Sequence, residues 1–234
     1  MRSLPYLYFI VILHCGQCLN AQEKDPGIRL ALQLDSIAAS AAPSSHFAKL
    51  YTETVLISLQ HYQYAGAREK EFIQRFEQTF AGYFFRAAAS RGKGPGSEPW
   101  QLYFSDRSLS PLQYQLLGIN AHINADLSAT LATVFTVEEL QTHKKTFIRF
   151  QKGLKTQFKQ FYRENIQATR LTRTLDKLTL GLARTYGSVM MASWRKRQFR
   201  LAIWKSTHPE KEAWLKRKTD RRKERIDRLI LRHL

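Results

Sequence analysis

Apolar side chains recur at three- and four-residue intervals along nearly the whole chain, and no run alternates long enough to predict a strand. Leu30, Leu34, Ile37 and Ala41 share one stripe of a helix predicted over 28–41, which Pro43 stops. A second helix is predicted from about Ser45 to near Gly66, with Phe47, Tyr51, Val55, Ser58 and Tyr62 on one face. The third, from about Arg68 to Ser90, carries Phe72, Phe76, Phe80, Tyr83 and Phe84 at helical spacing, a pattern that predicts core packing rather than a cofactor box.

Arg91-Gly92-Lys93-Gly94-Pro95-Gly96-Ser97 is the one clear loop, and its spacing is not that of a phosphate-binding P-loop. Trp100 to Phe104 is expected to pack the far end of that loop onto the bundle. Ser110-Pro111 then supplies an N-cap serine and an N1 proline for a central helix, apolar most of the way round and therefore expected in the middle of a bundle. Thr136-Val137-Glu138-Glu139 is a capping box that starts the next helix, predicted over 138–168. Further helices are predicted over 172–186 and 188–205, and Pro209 opens a last one that runs to Leu234. The expected fold is all-α: a single multi-helix bundle with a buried central helix and a basic C-terminal helix.

The first residues add a compartment. Met1-Arg2-Ser3 is a short positive stretch, and Leu4 to Cys18 is apolar but short for a membrane span, so 1–21 reads as a signal peptide cleaved near Ala21. The expected division is a signal peptide over 1–21, a helical domain over 22–205 and a basic C-terminal helix over 206–234, in a protein that is periplasmic or secreted. Cys15 and Cys18 both fall in the segment to be removed, and the residues before them do not have the small apolar pattern of a lipidation site. A mature chain without thiols has no cysteine nucleophile, thiolate metal site or disulfide, and at about 210 residues it is long enough to hold itself together by its core.

Charge then suggests a partner. The formal net charge is +18, with fifteen Lys and Arg against five Asp and Glu from Arg195 to Leu234. Such a surface concentrates anions, and export points to the anionic envelope surface or phospholipid rather than to chromosomal DNA. Trp214 and Leu215 at one end and Ile226, Leu229, Ile230 and Leu234 at the other flank the basic stretch 216–225. Those features suit an interfacial helix, and somewhat better a helix that packs its apolar ends on the bundle and leaves its cations in water.

The candidate chemistry lies in the central helix. Asp126 is the only formally charged residue between Ser108 and Val137, and a buried carboxylate is costly unless it is paired, protonated or bound to metal. His122 and Asp126 are four residues apart, hence neighbours on one helical strip, and Asn120 and Asn124 form a second such pair on an adjacent strip. Gly118 leaves room for close helix packing or for a pocket. Three chemistries fit the histidine and aspartate. They can ligate zinc or a similar ion, form an acid/base dyad in which Asp126 fixes the His122 tautomer, or make a satisfied structural pair.

The decapeptide Gly118 to Leu127, preceded by the Phe47-Ala48-Lys49-Leu50-Tyr51 element, resembles the signature of an uncharacterised bacterial helical family, a domain of unknown function (family five-nine-nine-five). That resemblance implies a helical fold without a mechanism. More distantly, Leu117-Gly118 followed by His122, Asp126 and Leu127 is similar to the metal-binding helix of the zinc-dependent phospholipase C and S1/P1 nuclease group, exported all-α phosphodiesterases. The similarity implies His122 and Asp126 as metal ligands. The histidine that group carries six residues after the aspartate is Ala132 here, and its N-terminal tryptophan ligand has Gln22 at the expected terminus. What remains implied is a single reduced site, completed by His61 with Asp35 or Glu77.

Two functions follow: a non-catalytic envelope protein whose Asn120/His122/Asn124/Asp126 network specifies the fold, or a metal-dependent hydrolase of phosphate esters.

Overall fold

The computed structural model describes residues 25–105, 108–150, 154 and 182–233. Helix α1 (Pro26–Ala38) opens on Asp25, whose carboxylate accepts the Gly27 N–H at 2.8 Å, with Pro26 in the first turn. It begins and ends earlier than its apolar stripe suggests, because a cap and not hydropathy sets its start. Helices α2 (Ser44–Tyr62) and α3 (Ala67–Ser90) follow, and α1 packs against both through Leu30, Leu34 and Ala38.

The aromatic stripe of α3 is core: Phe72, Phe76, Phe80 and Phe84 are all buried. The helix ends at Arg91 in the left-handed conformation (φ 49°), and Gly92 follows at φ +73°. A Cβ on Gly92 would come within 3.2 Å of the Trp100 carbonyl oxygen, so glycine is required for the loop to fold back on itself. The loop thereby carries the short 3-10 turn Glu98–Trp100 into the bundle, with the Trp100 side chain fully buried.

The central column comes next. Helix α4 (Pro111–Ala121) starts at a capping box between Ser110 and Gln113. It continues through a π-helical turn (His122–Asp126) into α5 (Leu127–Val134). Helix α6 (Val137–Thr142) opens on the Thr136/Glu139 capping box, as its sequence predicts. A bend at His143 interrupts the long helix expected from Glu138, and residues 144–150 resume it.

Helix α7 (Leu182–Thr207) runs unbroken through Gly187, where a boundary is predicted. One glycine inside a helix costs only about 1 kcal/mol, and no proline enforces a stop there. After a 3-10 turn (Pro209–Lys211), α8 (Glu212–His233) returns along the column. The central column is surrounded: α2 and α8 pack on α4, α3 and α7 on α5, and α3, α7 and α8 on the π turn.

The fold is all-α, with no strand among the described residues. Among those residues, no helix is long and apolar enough to cross a membrane. The signal-peptide segment with Cys15 and Cys18, and the helices expected between 155 and 181, lie outside the described residues.

Candidate functional site

Gly118 brings the signature helix against α2. A Cβ at that position would sit 2.4 Å from Phe47 Cδ2 and 2.7 Å from its Cγ, so the space beside Gly118 is filled by an aromatic ring and is no pocket. The Phe47 to Tyr51 element and the decapeptide are thus in direct contact.

Four residues later the helix widens. The Leu127 N–H bonds the His122 carbonyl, five residues back, which defines the π turn. Within it the Asn124 carbonyl oxygen accepts the Gln198 Nε2–H of α7 at 3.1 Å. A π turn inside an α-helix is frequently associated with function, and this one holds His122 and Asp126 at its two ends.

The two polar pairs both form, but on opposite sides of the column rather than on adjacent strips. Asn124 Nδ2 donates to Asn120 Oδ1 at 2.8 Å. Asn120 Nδ2 turns to α8, donating to Asp227 Oδ1 at 2.7 Å and to the Lys223 carbonyl oxygen at 3.0 Å. Asp227 Oδ2 in turn pairs with the Lys223 ammonium, and both residues are buried. The basic helix is therefore fixed to the centre of the bundle through Asn120.

His122 and Asp126 face the other way. His122 Nδ1 and Asp126 Oδ2 are 3.1 Å apart, and the same oxygen accepts the Trp100 indole N–H at 2.9 Å. Phe80 stacks on the imidazole at 3.5 Å between ring centroids, and Tyr51, Phe47 and Trp100 close around it at 4.7, 5.4 and 5.9 Å. His122 is 3% exposed and Asp126 2%. Burial holds the imidazole well below its usual range, helped by the nearby Arg195, and pushes the Asp126 carboxyl well above the usual carboxylate range against the Trp100 hydrogen bond. Both shifts favour the neutral forms.

Around it stand three buried groups that spacing on one helix does not reveal. Glu77, inside the aromatic stripe of α3, is pushed up to about 8 by burial, opposed by Ser58 and Arg195. Arg195, on α7, is lowered to about 10 by burial, with its guanidinium 5.6 Å from the ring centres of both Phe147 and Phe150. Tyr51 Oη, Glu77 Oε2, Arg195 Nη2 and His122 Nε2 are buried without a hydrogen-bond partner among the described residues. The signal that marks them is a charged residue inside an apolar stripe, which Glu77 shows clearly and Arg195, in a basic run, does not.

Of the expected metal set, His122 and Asp126 are brought together. Asp35 is exposed on α1, away from the column, and the side chain of His61 lies outside the described residues. No group of three or more His, Cys, Asp or Glu suited to a metal occurs among the described residues. His46 stacks on Tyr114 and His143 on Phe72, which places both rings in aromatic contacts elsewhere.

The basic surface has its own shape. Between α7 and α8 lies a groove of about 520 Å3 lined by Arg197, Trp214, Arg217, Lys218, Arg221, Arg222 and Arg225.

Fold and site together define an all-helical domain with a sealed polar column and a basic helix secured to it. The chain belongs to a family of unknown function (DUF5995), whose model matches residues 28–233 and so includes α8. Among curated proteins and among solved structures, none matches this chain.

Proposed function

We propose that this is an exported, non-catalytic protein that binds anionic surface of the cell envelope through α7 and α8. The buried asparagine, histidine and aspartate column sets the placement of those helices. The observation that carries this reading is the Asn120–Asp227 hydrogen bond, which joins the column to the basic helix. His122 and Asp126, enclosed by four aromatic rings, support the same division: polar residues specify the bundle, and the cationic surface meets the partner.

Co-sedimentation of the full chain with phosphatidylglycerol and phosphatidylcholine vesicles tests it. The expected result is binding to the first and not the second, falling steeply with salt. Equal pelleting with both, or with neither, overturns the reading. Sequencing the N-terminus of the secreted protein checks export, with Gln22 expected first.

A second reading, a metal-dependent hydrolase of phosphate esters with a reduced zinc site at His122 and Asp126, is favoured by one observation. Asp126 engages His122 Nδ1 and leaves Nε2 without a partner among the described residues, the arrangement by which a carboxylate orients a catalytic or metal-binding imidazole. Elemental analysis after mild dialysis separates the two. Near-stoichiometric zinc, lost in a folded His122→Ala variant, supports the hydrolase; metal-free protein that still binds anionic vesicles supports the first reading.

A further inference from the structure

We infer that the groove between α7 and α8 is a discrete binding site for the phosphate of an anionic headgroup, gripped by arginine forks. The inference rests on the anionic-surface reading and narrows it from a diffuse charge to a site. The groove takes Arg197 from α7, and Trp214, Arg217, Lys218, Arg221, Arg222 and Arg225 from one face of α8. No carboxylate lines it.

The acids of α8 explain why these cations remain available. Asp220 pairs with Lys216, Asp227 with Lys223 and Glu224 with Arg228, so three of its four acids are taken by cations outside the groove, and the fourth, Glu212, does not line it. The groove cations have no ion pair among the described residues. A face that served only solubility would hold its charges in water, whereas Arg222 is half-buried with its Nε shielded and without a partner among the described residues. Burial lowers its guanidinium, as do Arg197 and Arg225 beside it. An anion between them relieves that like-charge crowding.

The residue types select the anion. Guanidinium forks match phosphate oxygens two at a time, where ammonium groups act as point charges. Trp214, 49% exposed with Lys218 Nζ 4.8 Å over its ring, gives the groove one apolar lip, as suits a headgroup at a lipid interface. A groove of about 520 Å3 is of the size that holds a small ligand rather than a single ion.

Calorimetric titration of the full chain with inorganic pyrophosphate at physiological salt tests the site, alongside binding to phosphatidylglycerol vesicles. One equivalent of pyrophosphate is expected per chain, displaced by the vesicles. Arg197→Gln with Arg222→Gln should weaken pyrophosphate binding by about tenfold or more, and Arg197→Lys with Arg222→Lys, which keeps charge but removes the forks, by an intermediate factor. Arg200→Gln with Arg232→Gln removes the same charge outside the groove and should change affinity less than about twofold.

If the two glutamine pairs weaken binding equally, the site is overturned and diffuse surface binding survives. Full pyrophosphate binding without vesicle binding defeats the headgroup and the anionic-surface reading, but leaves a phosphate site. Tighter binding of a single-stranded oligonucleotide than of either probe also overturns the headgroup assignment. Circular dichroism melts of each variant separate lost binding from lost fold.

Discussion

Gly118 has Phe47 where a side chain would go, 2.4 Å from an added Cβ. Gly118→Ala is therefore expected to cost about 1–3 kcal/mol through overpacking, measured by urea denaturation, and a neutral effect would mean that α2 and α4 can separate freely. Trp100→Phe keeps an aromatic ring but removes the N–H that Asp126 Oδ2 accepts and leaves the space of the indole's second ring empty, an expected loss of at least about 1–3 kcal/mol because the carboxyl is left under-bonded in the interior. The column residues were legible in the sequence because each is polar in an apolar segment. Their partners were not: Trp100, Tyr51 and Arg195 act on His122 or Asp126 from other elements, and helical spacing identifies neighbours only within one helix. Asn120 and Asp227, 107 positions apart, show the same limit.

At the scale of the element, caps were legible and irregularities were not. Ser110, Thr136 and the glycines after Ser90 fix their helix ends through local hydrogen bonds and backbone preferences that depend on few residues. The π turn follows instead from how α3, α7 and α8 pack around the column, and α7 crosses Gly187 because nothing local stops it. Helix α8 packs on the bundle, burying Leu215 and Ile230 while Trp214, Leu229 and most of its cations stay outside, and it also buries the Lys223–Asp227 pair that receives Asn120. Asn120→Ala should loosen this helix selectively. Faster amide hydrogen exchange along α8, with α1 and α2 unchanged, is the expected result, and uniform exchange across the chain would show that Asn120 does not register α8.

For the whole molecule, buried titratable groups give stability a predictable slope with pH. Glu77, moved from 4.5 to about 8, stays protonated in the folded chain while the unfolded chain has released the proton, so its contribution is complete below 4.5 and lost as pH rises through 8. Asp126 acts with the same sign above 3.8. His122, held below 6.5, acts oppositely: its contribution is present above 6.5 and lost as pH falls. Between pH 6.5 and 8 the carboxyl groups dominate the change, and the folded state should weaken toward pH 8. Glu77→Gln should melt higher than the native chain at pH 8, with the gap closing toward pH 4.5; a gap independent of pH would place the Glu77 carboxyl outside the sealed interior.

The charge asymmetry belongs to the same scale, since a chain of net charge +18 carries fifteen Lys and Arg against five Asp and Glu from Arg195 to Leu234, a stretch whose last helix is bonded to the core through Asn120. The most direct measurement is vesicle binding by the native chain and by an Arg217→Glu, Arg221→Glu variant that melts normally. Salt-sensitive binding of the native chain to phosphatidylglycerol vesicles, abolished in the variant, is the predicted result. Binding that survives both reversals, or a native chain that ignores anionic vesicles altogether, contradicts it.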